Sequence, residues 1–150
     1  METKMTLSIR FARPTDAPWL AAISGTGNTF DWTLPGTTEG WWIAELGGAP
    51  VACVQMLLGR PVGRVESFRA APDLPPRVKA EALSALVKSA CTGLYMTGSQ
   101  GVMCFVRFDN KGMKRFLKRR FGAKVLESGN LFGIKFVEMG AAEAAGAEHE

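Results

Sequence analysis

The chain has 150 residues, 47% of them apolar and 21% charged, enough for one sizeable hydrophobic core and little more. The formal net charge of +4 favours a polyanionic or phosphorylated partner without demanding one. No apolar run reaches the ~18 residues of a membrane-spanning helix, and the opening Met1-Glu2-Thr3-Lys4 is too polar for a secretory signal.

Residues Leu7–Phe11 alternate as a first strand. Arg13-Pro14-Thr15-Asp16 then opens a helix, with Thr15 as its candidate cap and Trp19, Leu20 and Ile23 on one face. Residues 24–40, rich in Gly, Thr, Asn and Pro, read as a long loop. Trp41–Leu46 and residues 51–58 flank Gly47-Gly48 and read as a hairpin. After a turn at 59–63, residues 64–70 form a further strand. Prolines within 72–76 end it, and residues 77 to about 94 carry Val78, Ala82, Leu83, Leu86, Val87 and Ala90 along one side of a helix. Residues 101–108 contain the unbroken apolar run Val102-Met103-Cys104-Phe105-Val106, the mark of a buried strand. Asn110 can cap a following helix that buries Met113, Phe116 and Leu117 and stops at Gly122. Ser128-Gly129-Asn130 joins Lys124–Glu127 to a last strand at 131–138. One domain over residues 1–138 is expected, with a disordered Ala- and Glu-rich tail at 139–150. Cys53, Cys91 and Cys104 sit in apolar runs without metal-ligand spacing, so reduced core thiols in a cytoplasmic protein are expected.

The inventory of reactive groups excludes several chemistries. His149, the only histidine, lies in the tail, which leaves no imidazole for a Ser-His-Asp triad or a zinc site. No Gly-x-Gly-x-x-Gly follows a strand and no Gly-Lys-Ser/Thr occurs. Acyl transfer from a thioester to an amine needs little from side chains, because backbone amides can hold the donor and polarise its carbonyl. Glu45 and Glu66 each read as solvated strand residues, and the Trp41-Trp42 pair reads as core packing or a partner surface, with an acyl or substrate groove as the alternative. Lys111, Lys114, Arg115, Lys118, Arg119, Arg120 and Lys124 occur with no acidic residue among them, a stripe of positive charge on the last helix. It is either a solvated face or a contact for a phosphate group, a nucleic-acid backbone or an acidic protein surface, through Lys111, Lys114, Arg115, Lys118 and Arg119. No aromatic platform is interleaved with it, so nothing there reads bases.

A strand, Asn110, a short helix and Gly122 resemble the second half of the GNAT fold, that of the acyl-CoA N-acyltransferases. The opening Ile9-Arg10-Phe11-Ala12-Arg13-Pro14-Thr15-Asp16 is similar to the family's usual start. The resemblance covers roughly residues 7–138. It implies an α/β (α+β) fold, a mixed and mostly antiparallel sheet flanked by helices. A splayed parallel pair, strands 64–70 and 101–108, would be joined by the helix at 77–94 as a right-handed crossover. It further implies acetyl-CoA as acyl donor and a small-molecule or peptide amine as acceptor. The pyrophosphate would rest on Arg77, Val78, Lys79, Ala80, Glu81 and Ala82, and the pantetheine arm along Phe68, Arg69 and Ala70. Asn110 would also belong to the cofactor site, and Glu66 or Ser67 would act as base; no metal is implied. The chain departs from the family pattern in three places. Ala80 replaces the first glycine of the phosphate loop, Leu117 stands where many members carry a tyrosine acid, and Phe121-Gly122-Ala123 replaces Gly-Phe. Binding of acetyl-CoA is therefore expected to be weak. The Gly-less loop and Lys114-Arg115-Phe116-Leu117-Lys118 also resemble GNAT-like internal or accessory virion proteins of short-tailed phages. That resemblance implies a non-catalytic, virion-associated protein as the alternative function.

Overall fold

Period-two alternation and a glycine turn organise the N-terminal strands, and the computed structural model describes residues 5–24, 31–106, 110–127 and 131–135. The elements in chain order are β1 (Leu7–Phe11), α1 (Ala17–Ser24), β2 (Trp41–Leu46), β3 (Ala49–Leu57), β4 (Val62–Ala70), α2 (Pro76–Met96), β5 (Gly101–Phe105), α3 (Lys111–Phe121), β6 (Lys124–Glu127) and β7 (Leu131–Lys135). The strands hydrogen-bond in the order β1-β2-β3-β4-β5-β7-β6. The expected turn at 128–130, the tail at 139–150, residues 25–30 of the long loop, and the ends of the strands expected at 101–108 and 131–138 lie outside the described residues.

The chain divides into two compact units, Met1–Gln55 with Ser67–Ala90, and Met56–Glu66 with the chain from Cys91 onward. In the first unit β1 pairs antiparallel with β2, Leu7 opposite Leu46 and Phe11 opposite Trp42. β2 in turn pairs antiparallel with β3. Gly47 and Gly48 both take positive φ, 60° and 84°, the geometry of a two-residue turn that matches strand twist. The β2–β3 register slips between Ala44 and Glu45, with Glu45 opposite Pro50; a proline has no ladder donor and is tolerated at such a bulge. Leu20 of α1 packs against Trp41, Ile43 and Cys53, with Ala12, Trp19, Ile23 and Trp32 around them. Trp41 is therefore a core residue, as its sequence suggests, and Trp42 stacks on Phe11 with ring centroids 3.9 Å apart.

The start of α1 corrects the sequence reading. Thr15 is exposed, and Asp16 closes the preceding 3-10 turn (Pro14–Asp16) by accepting the Arg13 N–H at 2.6 Å. Glu45 is also not simply solvated. Arg10 bridges Glu45 of β2 and Asp16, donating to both carboxylate oxygens of Asp16 at 2.7 and 2.9 Å.

In the second unit β4 runs parallel to β5, Val62 opposite Gly101 through Val65 opposite Cys104. β5 pairs antiparallel with β7, and β7 with β6. Pairing with β5 thus covers only the first residues of β4, which itself continues to Ala70. Val65, Cys91, Leu94, Val102, Cys104, Met113, Leu117 and Phe121 are all buried here. The C-terminal turn of α2 packs directly on β4 at Gly63, where an added Cβ would lie 2.6 Å from a Leu94 methyl. Arg60 closes the end of that helix, donating through Nε and Nη2 to the Thr97 carbonyl at 2.9 and 2.6 Å. α3 starts and stops as its sequence dictates. Asn110 Oδ1 accepts the Met113 N–H at 3.1 Å, and Gly122 takes the left-handed C-terminal position at φ 62°. Phe116 is half-buried rather than buried, and its ring meets Phe121 edge-on.

Candidate functional site

The residues expected to hold a cofactor fall mostly in the first unit, on the last part of β4 and the first turns of α2. β4 does not reach its end as a regular strand. Ser67 sits at φ 60°, a left-handed conformation that a non-glycine residue adopts only under constraint. Such a residue inside a strand is the signature of a local bulge, which can re-aim the adjacent peptide groups. The Ser67 hydroxyl lies 3.5 Å from Gln55 Oε1 of β3. Phe68 is buried, Arg69 is exposed and Ala70 half-buried, and Arg69 donates to the Phe68 carbonyl at 3.2 Å. The Ala71 N–H returns to the Val51 carbonyl at 2.7 Å, and the Leu74 N–H closes a turn on Ala71 at 3.2 Å.

Pro76 is the first residue of α2, a position where its missing N–H costs nothing. The first helical bond runs from the Lys79 N–H to the Pro75 carbonyl at 2.9 Å. The N–H groups of Arg77 and Val78 therefore precede every helical acceptor, and the positive end of the helix dipole lies with them. Arg77, Lys79 and Glu81 are exposed, Val78 and Ala80 are half-buried, and Ala82 faces the core. Glu81 does not stand alone, since Arg77 Nε lies 3.4 Å from its carboxylate, one turn back. A cavity of about 500 Å³ is lined by Arg77, Val78 and Glu81 together with Met5, Leu7 and Leu46. Phe68, Arg69 and Ala70 do not line it.

The remaining expected site residues lie in the second unit. Glu66 is half-buried, with Arg64 Nη2 3.6 Å from its carboxylate. Asn110 is exposed and engaged as the cap of α3. Leu117 is fully buried, a core side chain at the place where the family resemblance puts a tyrosine. Tyr95, at the end of α2, is exposed. Among the described residues no group of three or more His, Cys, Asp or Glu side chains could hold a metal ion. The three cysteines are free and buried. Burial pushes the Cys53 thiol up to about 12, with nearby Arg69 opposing, and it pushes Cys104 up further. These thiols are not poised as nucleophiles.

The sequence reading named Ser67 for its hydroxyl, whereas its backbone is the more unusual feature. Nothing in the residue type signals a positive φ at a serine. Gln55 was missed altogether, because its relation to Ser67 spans two strands.

Neither the known sequence families nor the curated proteins contain a match to this chain. The fold, by contrast, is shared with solved structures. Ard1 from Thermoplasma volcanium superposes with a TM-score of 0.63 at 20% identity, covering 85% of this chain and 95% of that one. PaiA N-acetyltransferase from Thermoplasma acidophilum, in complex with coenzyme A, gives 0.64 at 10% identity, covering 88% and 100%. Diaminobutyrate acetyltransferase EctA from Paenibacillus lautus, in complex with its substrate L-2,4-diaminobutyric acid and coenzyme A, gives 0.59 at 16% identity, covering 87% and 95%. The chain has the fold of the GNAT acetyltransferases, with the mixed sheet and the parallel β4–β5 pair expected from its sequence.

Proposed function

We propose that this protein is an N-acetyltransferase that moves an acetyl group from acetyl-CoA to an amine on a small molecule or peptide. The observation that carries the reading is the pairing of a left-handed backbone at Ser67 with a helix whose first turn leaves the N–H groups of Arg77 and Val78 without helical acceptors, on a fold shared with coenzyme A-bound acetyltransferases. The residues at the start of α2 suit a pyrophosphate. Arg77 and Val78 offer backbone donors, and Arg77 and Lys79 add positive charge. Ala80 and Glu81 suit it less well, the first by its methyl group and the second by its charge, so weak binding is expected.

In this reading the donor supplies an acyl group already activated as a thioester. The backbone N–H groups next to Ser67 polarise its carbonyl as negative charge develops on the oxygen. Residues 68–70 align the donor by main-chain contacts along the end of β4. Glu66 is the candidate to take a proton from the acceptor ammonium, which frees the nitrogen lone pair; the Ser67 hydroxyl, next to it in β4, is the candidate to orient that nitrogen by a hydrogen bond. With Leu117 buried and apolar, no side chain at that position returns a proton to the departing sulfur. General acid assistance is worth about 10²–10⁴-fold, so turnover is expected to be slow.

The test is calorimetric titration with acetyl-CoA, followed by a thiol-release assay over a panel of primary amines. Saturable binding that weakens with Arg77→Glu, and amine-dependent thiol release that falls with Glu66→Gln, is the expected result. No binding at millimolar acetyl-CoA would sink the reading and leave the alternative, a non-catalytic virion protein working through contacts.

A further inference from the structure

We infer that the outer face of α3 is a docking surface for a nucleic-acid phosphate backbone, a role separate from acetyl transfer and resting on none of the residues assigned to it. Seven of the chain's 18 lysines and arginines lie between Lys111 and Lys124, a stretch with no acidic residue, so the rest of the chain is net negative. The positive charge of this protein is thus concentrated on α3, which holds six of the seven, and on Lys124 at the start of β6.

The structure sorts those cations by face. Met113, Leu117 and Phe121 are buried and fix the inner side of α3. Lys111, Arg115 and Arg119 recur every fourth residue on the opposite side, and all three are exposed. Lys118 is exposed next to them and Lys114 is half-buried, but both already have interactions within the protein. Successive members of the Lys111–Arg115–Arg119 row are about 6 Å apart along the axis, so the three charges form one line about 12 Å long on a single face. Two of the three carry guanidinium forks, which suit phosphate oxygens.

Helix stability does not explain this pattern. Cations in the last turn, such as Arg119, favour the negative end of the dipole, but Lys111 stands at the positive end, where a cation is unfavourable. The face also discriminates between partners. It carries no apolar anchor, since the large apolar side chains of α3 are buried or half-buried. Protein interfaces centre on apolar and aromatic anchors, whereas nucleic-acid interfaces are polar and strongly positive. With no exposed aromatic ring in the row, recognition is of the backbone and independent of sequence.

The experiment measures binding of the full chain to a labelled duplex oligonucleotide by fluorescence anisotropy over a salt series. Three phosphate contacts predict a slope of log K against log salt of about −2.7. Arg115→Gln combined with Arg119→Gln should reduce the slope to about −0.9 and weaken low-salt binding by roughly tenfold or more. Arg115→Lys with Arg119→Lys keeps the charge and should retain most of the binding, which separates loss of charge from loss of fold. Absence of binding at about 50 mM salt, or an unchanged slope in the Gln variant, overturns the proposal. Competition by polyglutamate as effective as that by nucleic acid of equal charge also overturns it, in favour of an acidic protein surface.

Discussion

Arg10 shows how much one side chain can organise. It ties β1 to β2 through Glu45 and to the start of α1 through Asp16, and it also donates to the Phe11 carbonyl at 3.0 Å. The hydrogen bonds from Arg10 hold the Asp16 carboxyl below its ordinary value of 3.8, helped by the Arg13 N–H and opposed by burial. A carboxyl with a depressed folded-state value stabilises the fold above its ordinary pKa and loses that contribution as pH falls through the folded value. Stability of the wild type should therefore fall below about pH 4, and Asp16→Asn should flatten that part of a urea-denaturation series against pH. At neutral pH, Asp16→Ala should cost about 1–3 kcal/mol, because it removes the acceptor of the Arg13 N–H and two of the hydrogen bonds from Arg10, which then keeps Glu45 as counter-ion. Ser67 tests a different residue-scale property. A β-branched side chain is poorly tolerated at φ 60°, so Ser67→Val should lower stability by about 1–2 kcal/mol, whereas Ser67→Gly should stay within about 0.5 kcal/mol. Equal melting of the two variants would show that the left-handed backbone is not held there.

At the scale of elements, local signals were readable and long-range ones were not. Asn110 and Gly122 bracket α3 because capping is decided within four residues, and Gly47-Gly48 announced the β2–β3 hairpin for the same reason. Val102 to Val106 read as a strand from apolarity alone. The Arg10–Glu45 pair, by contrast, spans 35 residues, and no periodicity points to it. The close approach of Leu94 to Gly63 was equally invisible, since a glycine beside a turn has many explanations. That contact makes a clear prediction. Gly63→Ala should destabilise by about 1–3 kcal/mol, with the loss reduced when Leu94→Ala is made alongside it. Gly112 is the opposite case. A Cβ there meets only Asn110 Oδ1, at 3.9 Å, so Gly112→Ala should stabilise by about 0.5 kcal/mol in thermal melts. The candidate cofactor site was legible in part. Its helix start followed from Pro76, and periodicity already put Val78 and Ala82 on the inner side, but the half-burial of Ala80 and the approach of Arg77 to Glu81 came only from the fold. Replacing Glu81 with Gln and Ala80 with Gly should tighten acetyl-CoA binding roughly threefold to tenfold. Calorimetry would refute this if both variants bound no better than wild type.

For the molecule as a whole, the two units are each built on both sheet and helix, and each holds cysteine in its own core. Cys53 belongs to the first unit, and Cys91 and Cys104 belong to the second. All three are buried, which distributes built-in reporters of opening across the chain. A maleimide added to the folded protein should react very slowly, because thiol access requires the surrounding core to part. Labelling followed by peptide mass spectrometry in rising urea would then time each region separately. Coincident labelling of Cys53 and Cys104 means that the units open together as one cooperative structure. Earlier labelling of either one identifies the half of the protein that yields first.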